Sequence, residues 1–265
     1  MYNLIWADGF KMRKSAAIKI IFVITTLCAA AMSVIAYLIP QGKVDESLSS
    51  IGFLFSDMNV ISILGSVLAG VYICGDYESK TIHDAISSGS GRGTVIFSKT
   101  VVLCSALAFV LLPYAIIIAI ALCIGTEFSM GNVSLGFLNV LTSGAGQNLS
   151  ASEGMKLLTV SVTLIIVYMA QLSITVPLAF IFRKPVLVIA IYYGLSILTG
   201  QLGGVADRSP VFERIFGLTP YYGNYILITL DTGAGEMFRA ILVSFIFILV
   251  MLAFTYSIFR KAEIK

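Results

Sequence analysis

Few side chains in this sequence stand where they could do chemistry. His83 is the single histidine, and Ser87 and Ser88 follow it within five residues. An imidazole beside hydroxyls is the start of a nucleophile–base pair. The surrounding stretch, GDYESKTIHDAISSGSGRGTVIFSK over residues 75–99, is polar and supplies no oxyanion scaffold, so no hydrolytic dyad is expected. One histidine also excludes zinc sites built on paired histidines, HExxH included. Cys28, Cys74, Cys104 and Cys123 lie in or at the ends of apolar runs without CxxC spacing, and read as small buried residues. Gly42-Lys43 lacks the upstream glycine and following hydroxyl of a phosphate loop. The chain is therefore expected to bind no cofactor and to hydrolyse no ATP by itself. Asp57, Asn59 and Gln171 are polar residues inside apolar runs. A proton or ion relay needs several ionisable groups at one depth, and broken helices to hold them, and neither pattern is read here. Asp57, about two turns from the outer end of its run, is expected to be reached by water or headgroups. Asn59 and Gln171 are expected to hydrogen-bond between helices.

These residues must be positioned by elements built for lipid. The chain is 58% hydrophobic and only 12% charged, against about 25% charged in a soluble domain. Runs of about 20 apolar residues match the thickness of a bilayer core. The composition predicts an all-α, polytopic membrane protein forming one transmembrane domain over 1–265, with no room for a separate soluble domain. Six spans are drawn near 16–39, 51–74, 100–124, 157–182, 185–205 and 237–259. The first run is too long for a cleavable signal. Arg183-Lys184-Pro185 predicts a tight turn between the fourth and fifth spans, since proline suits a first helical turn and not a last one. Placing both termini in the cytoplasm puts 12 of the 17 basic residues inside, as the positive-inside rule requires. That orientation in the plasma membrane makes 75–99 a cytoplasmic loop.

Smaller features refine the picture. Tyr2, Ile5, Trp6 and Phe10 can share one helical face before the first span. Residues 1–15 thus read either as an interfacial helix or as a basic lead-in that fixes topology. Ser62, Ser66 and Gly70 in the second span, and Gly200 and Gly204 in the fifth, form small-xxx-small faces for close helix packing. Val133–Leu141 is expected to form a short surface helix in the outer 125–156 loop. The 206–236 segment, broken by Gly217, Pro220 and Gly223, predicts a pair of short re-entrant-like helices or an interfacial loop anchored by Tyr221, Tyr222 and Tyr225.

Within the 75–99 loop, Asp76 or Ser79 can cap a short helix whose Ile82, Ala85 and Ile86 recur at i, i+3, i+4. Gly89 and Gly91 then end it, and Thr94 starts the next span. Ile82 and Ile86 would gain little from water and are expected in a partner's groove. The order Gly75-Asp76-Tyr77-Glu78, Thr81-Ile82, Ser88-Gly89, Arg92 and Ser98-Lys99 resembles the cytoplasmic loop of type-2 permeases of ATP-binding-cassette exporters. The similarity extends to the basic N-terminal segment, the six spans and the apolar loop before the last.

The resemblance implies that Asp76, Tyr77, Glu78, Lys80, Thr81, Ile82, His83, Ala85, Ile86 and Arg92 form a coupling helix and its return, docked on a separate ATPase. It implies two permeases and two ATPases per transporter, with ATP and magnesium on the partner subunit and no nucleic acid. Similar bacterial members export antimicrobial or cytolytic peptides, lantibiotics or drugs. The competing expectation is a secondary transporter or channel that works without an ATPase.

Overall fold

The computed structural model describes residues 2–45, 49–130, 134–146, 151–206 and 209–261. Among these the chain is helical throughout, with no strand. Six helices are long and apolar enough to cross a membrane: Ala16–Leu38, Ser49–Glu78, Arg92–Cys123, Ser152–Phe182, Pro185–Leu202 and Ala234–Arg260.

The first helix, α1 (Tyr2–Lys14), stops at Ser15, whose hydroxyl caps α2 (Ala16–Leu38) by accepting from Ala17 N at 3.2 Å. The second span has four parts: α3 (Ser49–Leu54), α4 (Asp57–Ala69), a π-helical turn (Gly70–Cys74) and α5 (Gly75–Glu78). Lys80, in the left-handed region at φ 57°, turns the chain into α6 (Thr81–Ser87). Gly89 closes α6 at φ 94°, and Ser90 N donates back to Ala85 O at 3.0 Å. Only a residue without Cβ takes that conformation cheaply.

The third span, α7 (Arg92–Cys123), begins well before the expected residue 100. Lys99 interrupts the apolar pattern, but its charge is neutralised inside the protein, so the helix runs through it. This span is the hub, packing against α1, α2, α4, α6, α8 (Gly136–Ser143), α9 (Ala151–Leu172) and α13 (Ala234–Lys261). The expected surface helix in the outer loop is α8, and it is not on the surface. Phe137, Leu138, Val140 and Leu141 are all fully buried, because the first four spans leave a wedge that only an apolar helix can fill. Val133 lies outside the described residues.

The fourth span is broken, contrary to expectation. α9 ends at Leu172 and α10 (Thr175–Phe182) begins after a turn at Ser173 and Ile174. Pro177 has no N–H to return to Ser173 O, and its ring crowds that carbonyl. Val176 N takes the carbonyl instead, at 3.1 Å. Arg183 caps α10 in the left-handed region at φ 54°, and Pro185 starts α11 (Pro185–Ala206), which makes the tight turn compact. In the segment before the last span, one short helix forms, α12 (Pro210–Phe216), followed by a single 3-10 turn at Gly223–Tyr225 rather than a second helix.

Candidate functional site

At the end of the bundle where α1 meets the 75–89 loop, four charges converge from three elements. Lys99 of α7 donates to both Asp8 of α1 and Asp76 of α5, and Lys11 of α1 donates to the other oxygen of Asp76. Ser98 Oγ donates to Asp8 Oδ2 at 2.6 Å, and Thr81 Oγ1 to Asp76 Oδ1 at 2.9 Å. The Lys99 ammonium also lies 4.8 Å from the centre of the Tyr72 ring. Asp8, Asp76 and Lys99 are buried, whereas the Lys11 side chain is 51% exposed. Two carboxylates and two ammonium groups make a neutral set, so the cluster survives desolvation that no single member would. It ties α1, the loop and α7 into one body.

Asp8 escaped the sequence reading, although a signal existed. It is the only acidic residue among the first 44, set among Lys11, Arg13, Lys14 and Lys19. Lys99 is likewise the only charged residue between Gly93 and Cys123. Lone opposite charges in otherwise basic and apolar stretches are each other's natural partners.

The ten residues expected to form the docking helix divide sharply. Glu78, Lys80 and Thr81 are exposed, and Tyr77, His83, Ala85, Ile86 and Arg92 are half-buried. Asp76 and Ile82 are each only 1% exposed and so are withdrawn from any partner's reach. The expectation that Ile82 sits in a partner's groove is therefore corrected: the chain buries it itself, because the αL turn at Lys80 folds α6 back onto α7. Tyr77 packs edge-on against Phe180 at 5.6 Å, and the Arg183 guanidinium lies 5.0 Å from its ring centre, which holds the loop to α10. Arg92 reaches the far end of the chain, donating to Phe259 O at 2.7 Å and Arg260 O at 2.8 Å at the C-terminus of α13. A cation there meets the negative end of the helix. Asp84, Ser87 and Ser88 complete the exposed face beside Glu78 and Lys80.

Burial of Ile82 changes what its mutation does. We expect Ile82→Ala to lower the stability of the isolated chain by about 2 kcal/mol, the low end for truncating a buried isoleucine. Thermal unfolding of the purified chain in detergent, with no partner present, measures this. Wild-type stability would mean that α6 does not pack on α7.

A second polar cluster lies at the opposite end. Asp57 is fully buried, against the expectation that water reaches it, because α8 covers it. Its Oδ2 accepts from Tyr168 Oη and from Phe137 N, the latter at 3.1 Å, so Asp57 caps α8 from another helix. Gln171 Nε2 donates to Pro220 O at 2.9 Å, and Tyr221 Oη donates to Gln171 O at 2.7 Å. Gln171 thus binds a span to the 217–232 loop rather than to another span. Asn59 also differs from expectation, donating to Phe53 O at 2.9 Å across the break between α3 and α4. The loop is pinned further by Gly136 N to Ile226 O at 2.7 Å, Asn139 Nδ2 to Leu227 O at 3.0 Å, and Tyr225 Oη to Gly217 O at 2.7 Å.

The small-residue faces have different fates. Ser62 Oγ lies 3.1 Å from Ser196 Oγ, Ser66 is buried, and a Cβ on Gly70 would come within 3.3 Å of the Pro185 backbone, so this face seats α11 closely. Gly200 faces open space, with nothing among the described residues within 4 Å of a Cβ placed there. For Gly204, in the last turn of α11, only the backbone is described. No group of three or more histidine, cysteine or carboxylate residues able to hold a metal occurs among the described residues. No model of a known protein family matches the chain, and no curated protein matches it either.

Proposed function

We propose that this chain is the membrane-spanning subunit of an ATP-binding-cassette exporter, docking through α5 and α6 on a separate ATPase. The observation that carries the reading is the loop's construction. A short helical pair carries an exposed polar face, Glu78, Lys80, Asp84 and Ser87, while its other face is fixed to α1, α7 and α10 by ions and rings. A docking element must be rigidly joined to the spans if partner motion is to reach them, and this one is. In this reading both termini and the loop face the cytoplasm across the plasma membrane. Two copies and two ATPases form the working assembly, ATP and magnesium belong to the partner, and the cargo is an amphipathic peptide or drug. The exposed row Tyr2, Trp6 and Phe10 supports a reading of α1 as an interfacial helix.

Two helix breaks, one between α3 and α4 beside the buried Asp57 and one between α9 and α10, favour a transporter that needs no ATPase, since such proteins bind cargo at interrupted helices. Against it, Asp57 Oδ2 is taken up by Tyr168 and the α8 backbone, and Ser173 and Thr175 donate to Ala170 O and Leu172 O at the end of α9, so these groups are engaged within the chain rather than offered to a cargo. The exporter reading predicts that the chain alone turns over no ATP. Gentle purification is expected to retain a subunit bearing a phosphate loop, and the complex to hydrolyse ATP. Reversing two exposed charges, Glu78→Lys with Asp84→Lys, should weaken that copurification at least about tenfold, because like charges then meet the partner's face. Insertion of the chain should be unchanged. ATP turnover by the chain alone, or assembly indifferent to the double reversal, overturns the reading.

A further inference from the structure

A groove of about 550 Å³ runs along the seam of α1, α2 and α7. Its walls are apolar, formed by Ile5, Met12, Ile18, Val101 and Phe109, and its rim carries two cations, Arg13 and Lys19. Both are exposed, and among the described residues neither makes an ion pair or ring contact, unlike Lys11 and Lys99. On the three helices that line the groove no carboxylate offsets them: Asp8 is the only acid on α1 and is consumed by Lys99 and Ser98, while α2 and α7 contain none. Gly9 lies on the wall with open space where a side chain would stand, and it joins this groove to a second hollow of about 300 Å³ beside Trp6.

The geometry points to a site for an anionic phospholipid. Arg13 and Lys19 sit where the apolar α2 begins, the depth at which a headgroup phosphate lies. A planar guanidinium and a point-charge ammonium together suit a phosphate oxyanion. From Val101 to Phe109 the groove descends about 12 Å along α7, room for the upper part of an acyl chain. Phe109, stacked on Phe22 with ring centroids 4.5 Å apart, closes it. A soluble anion would use the cations but leave the apolar channel wet, whereas a lipid fills both. The inference stands independently of the exporter reading, since it needs no ATPase.

The test uses Trp6, the chain's single tryptophan, as reporter. The intact chain is reconstituted in phosphatidylcholine bilayers containing increasing fractions of brominated phosphatidylglycerol or of brominated phosphatidylcholine, and quenching is recorded. The anionic lipid is expected to quench at a markedly lower mole fraction. Arg13→Gln with Lys19→Gln should raise its half-quenching fraction by up to roughly 30-fold, about what two surface cations contribute. Because neither side chain is paired, thermal stability should not change. Gly9→Leu keeps both cations, fills the groove where space is open, and should abolish the preference as well. Equal quenching by the two lipids overturns the proposal. So does a Gly9→Leu protein that keeps the preference, which would reduce the effect to diffuse surface charge.

Discussion

Replacing Lys99 by methionine is expected to destabilise the chain by about 3–5 kcal/mol, the cost of removing one partner from a buried ionic cluster. Methionine matches the stem of lysine, so little packing is lost. What remains is Asp8 with only Ser98, and Asp76 with only Lys11 and Thr81, two buried carboxylates served by one exposed ammonium. The helix α1 should then detach, and trypsin should cut at Lys11, Arg13 or Lys14 far faster than in the wild type. Lys11→Ala is the internal control. That ammonium is half in water, so its loss should cost about 1 kcal/mol or less. Adding Asp8→Asn to Lys99→Met should recover part of the stability, since it removes the stranded charge. Unfolding in detergent and limited proteolysis measure both effects. If Lys99→Met is no worse than Lys11→Ala, the cluster does not hold the loop end together.

Gly136→Ala is expected to cost roughly 2–5 kcal/mol, more than an ordinary glycine substitution. Gly136 has φ 60°, where a Cβ alone costs about 1–2 kcal/mol. That Cβ would also overlap Asp57 Oδ2 and Tyr168 Oη and come within 3.0 Å of Asp57 Cγ. Asp57 and Tyr168 are buried on all sides, so neither can swing away without breaking the bonds that cap α8, which adds a further 1–3 kcal/mol for the unsatisfied groups. Gly146→Ala provides the comparison. Its φ of 75° is just as unusual, but nothing lies within 4 Å of the new Cβ, so only the backbone cost remains. The difference between the two variants, read by thermal unfolding, should be about 1–3 kcal/mol. Equal losses would mean that the Asp57 cluster yields to an intruding methyl group.

Apolar runs determined the six spans, because hydrophobic length against bilayer thickness is a local property of the chain. Turn chemistry determined the closure of α6 at Gly89 and the start of α11 at Pro185, because positive φ and a missing N–H restrict which residues can stand there. What surrounds each residue was not local, and there the sequence pattern misled. The i, i+3, i+4 spacing of Ile82, Ala85 and Ile86 marked an apolar face correctly but not what it faces. A backbone turn at Lys80 decided that Ile82 is covered by its own chain. Asp57 stood near the end of an apolar run, and only the docking of α8, some 80 residues later in the chain, sealed it from water. Asp8 and Asp76 stand 91 and 23 residues before Lys99 along the chain. A charge is tolerable in an apolar environment only when an opposite one is folded against it. Which pairs meet is therefore settled by the packing of α1 and α5 on α7, and by nothing in the neighbourhood of any one of them.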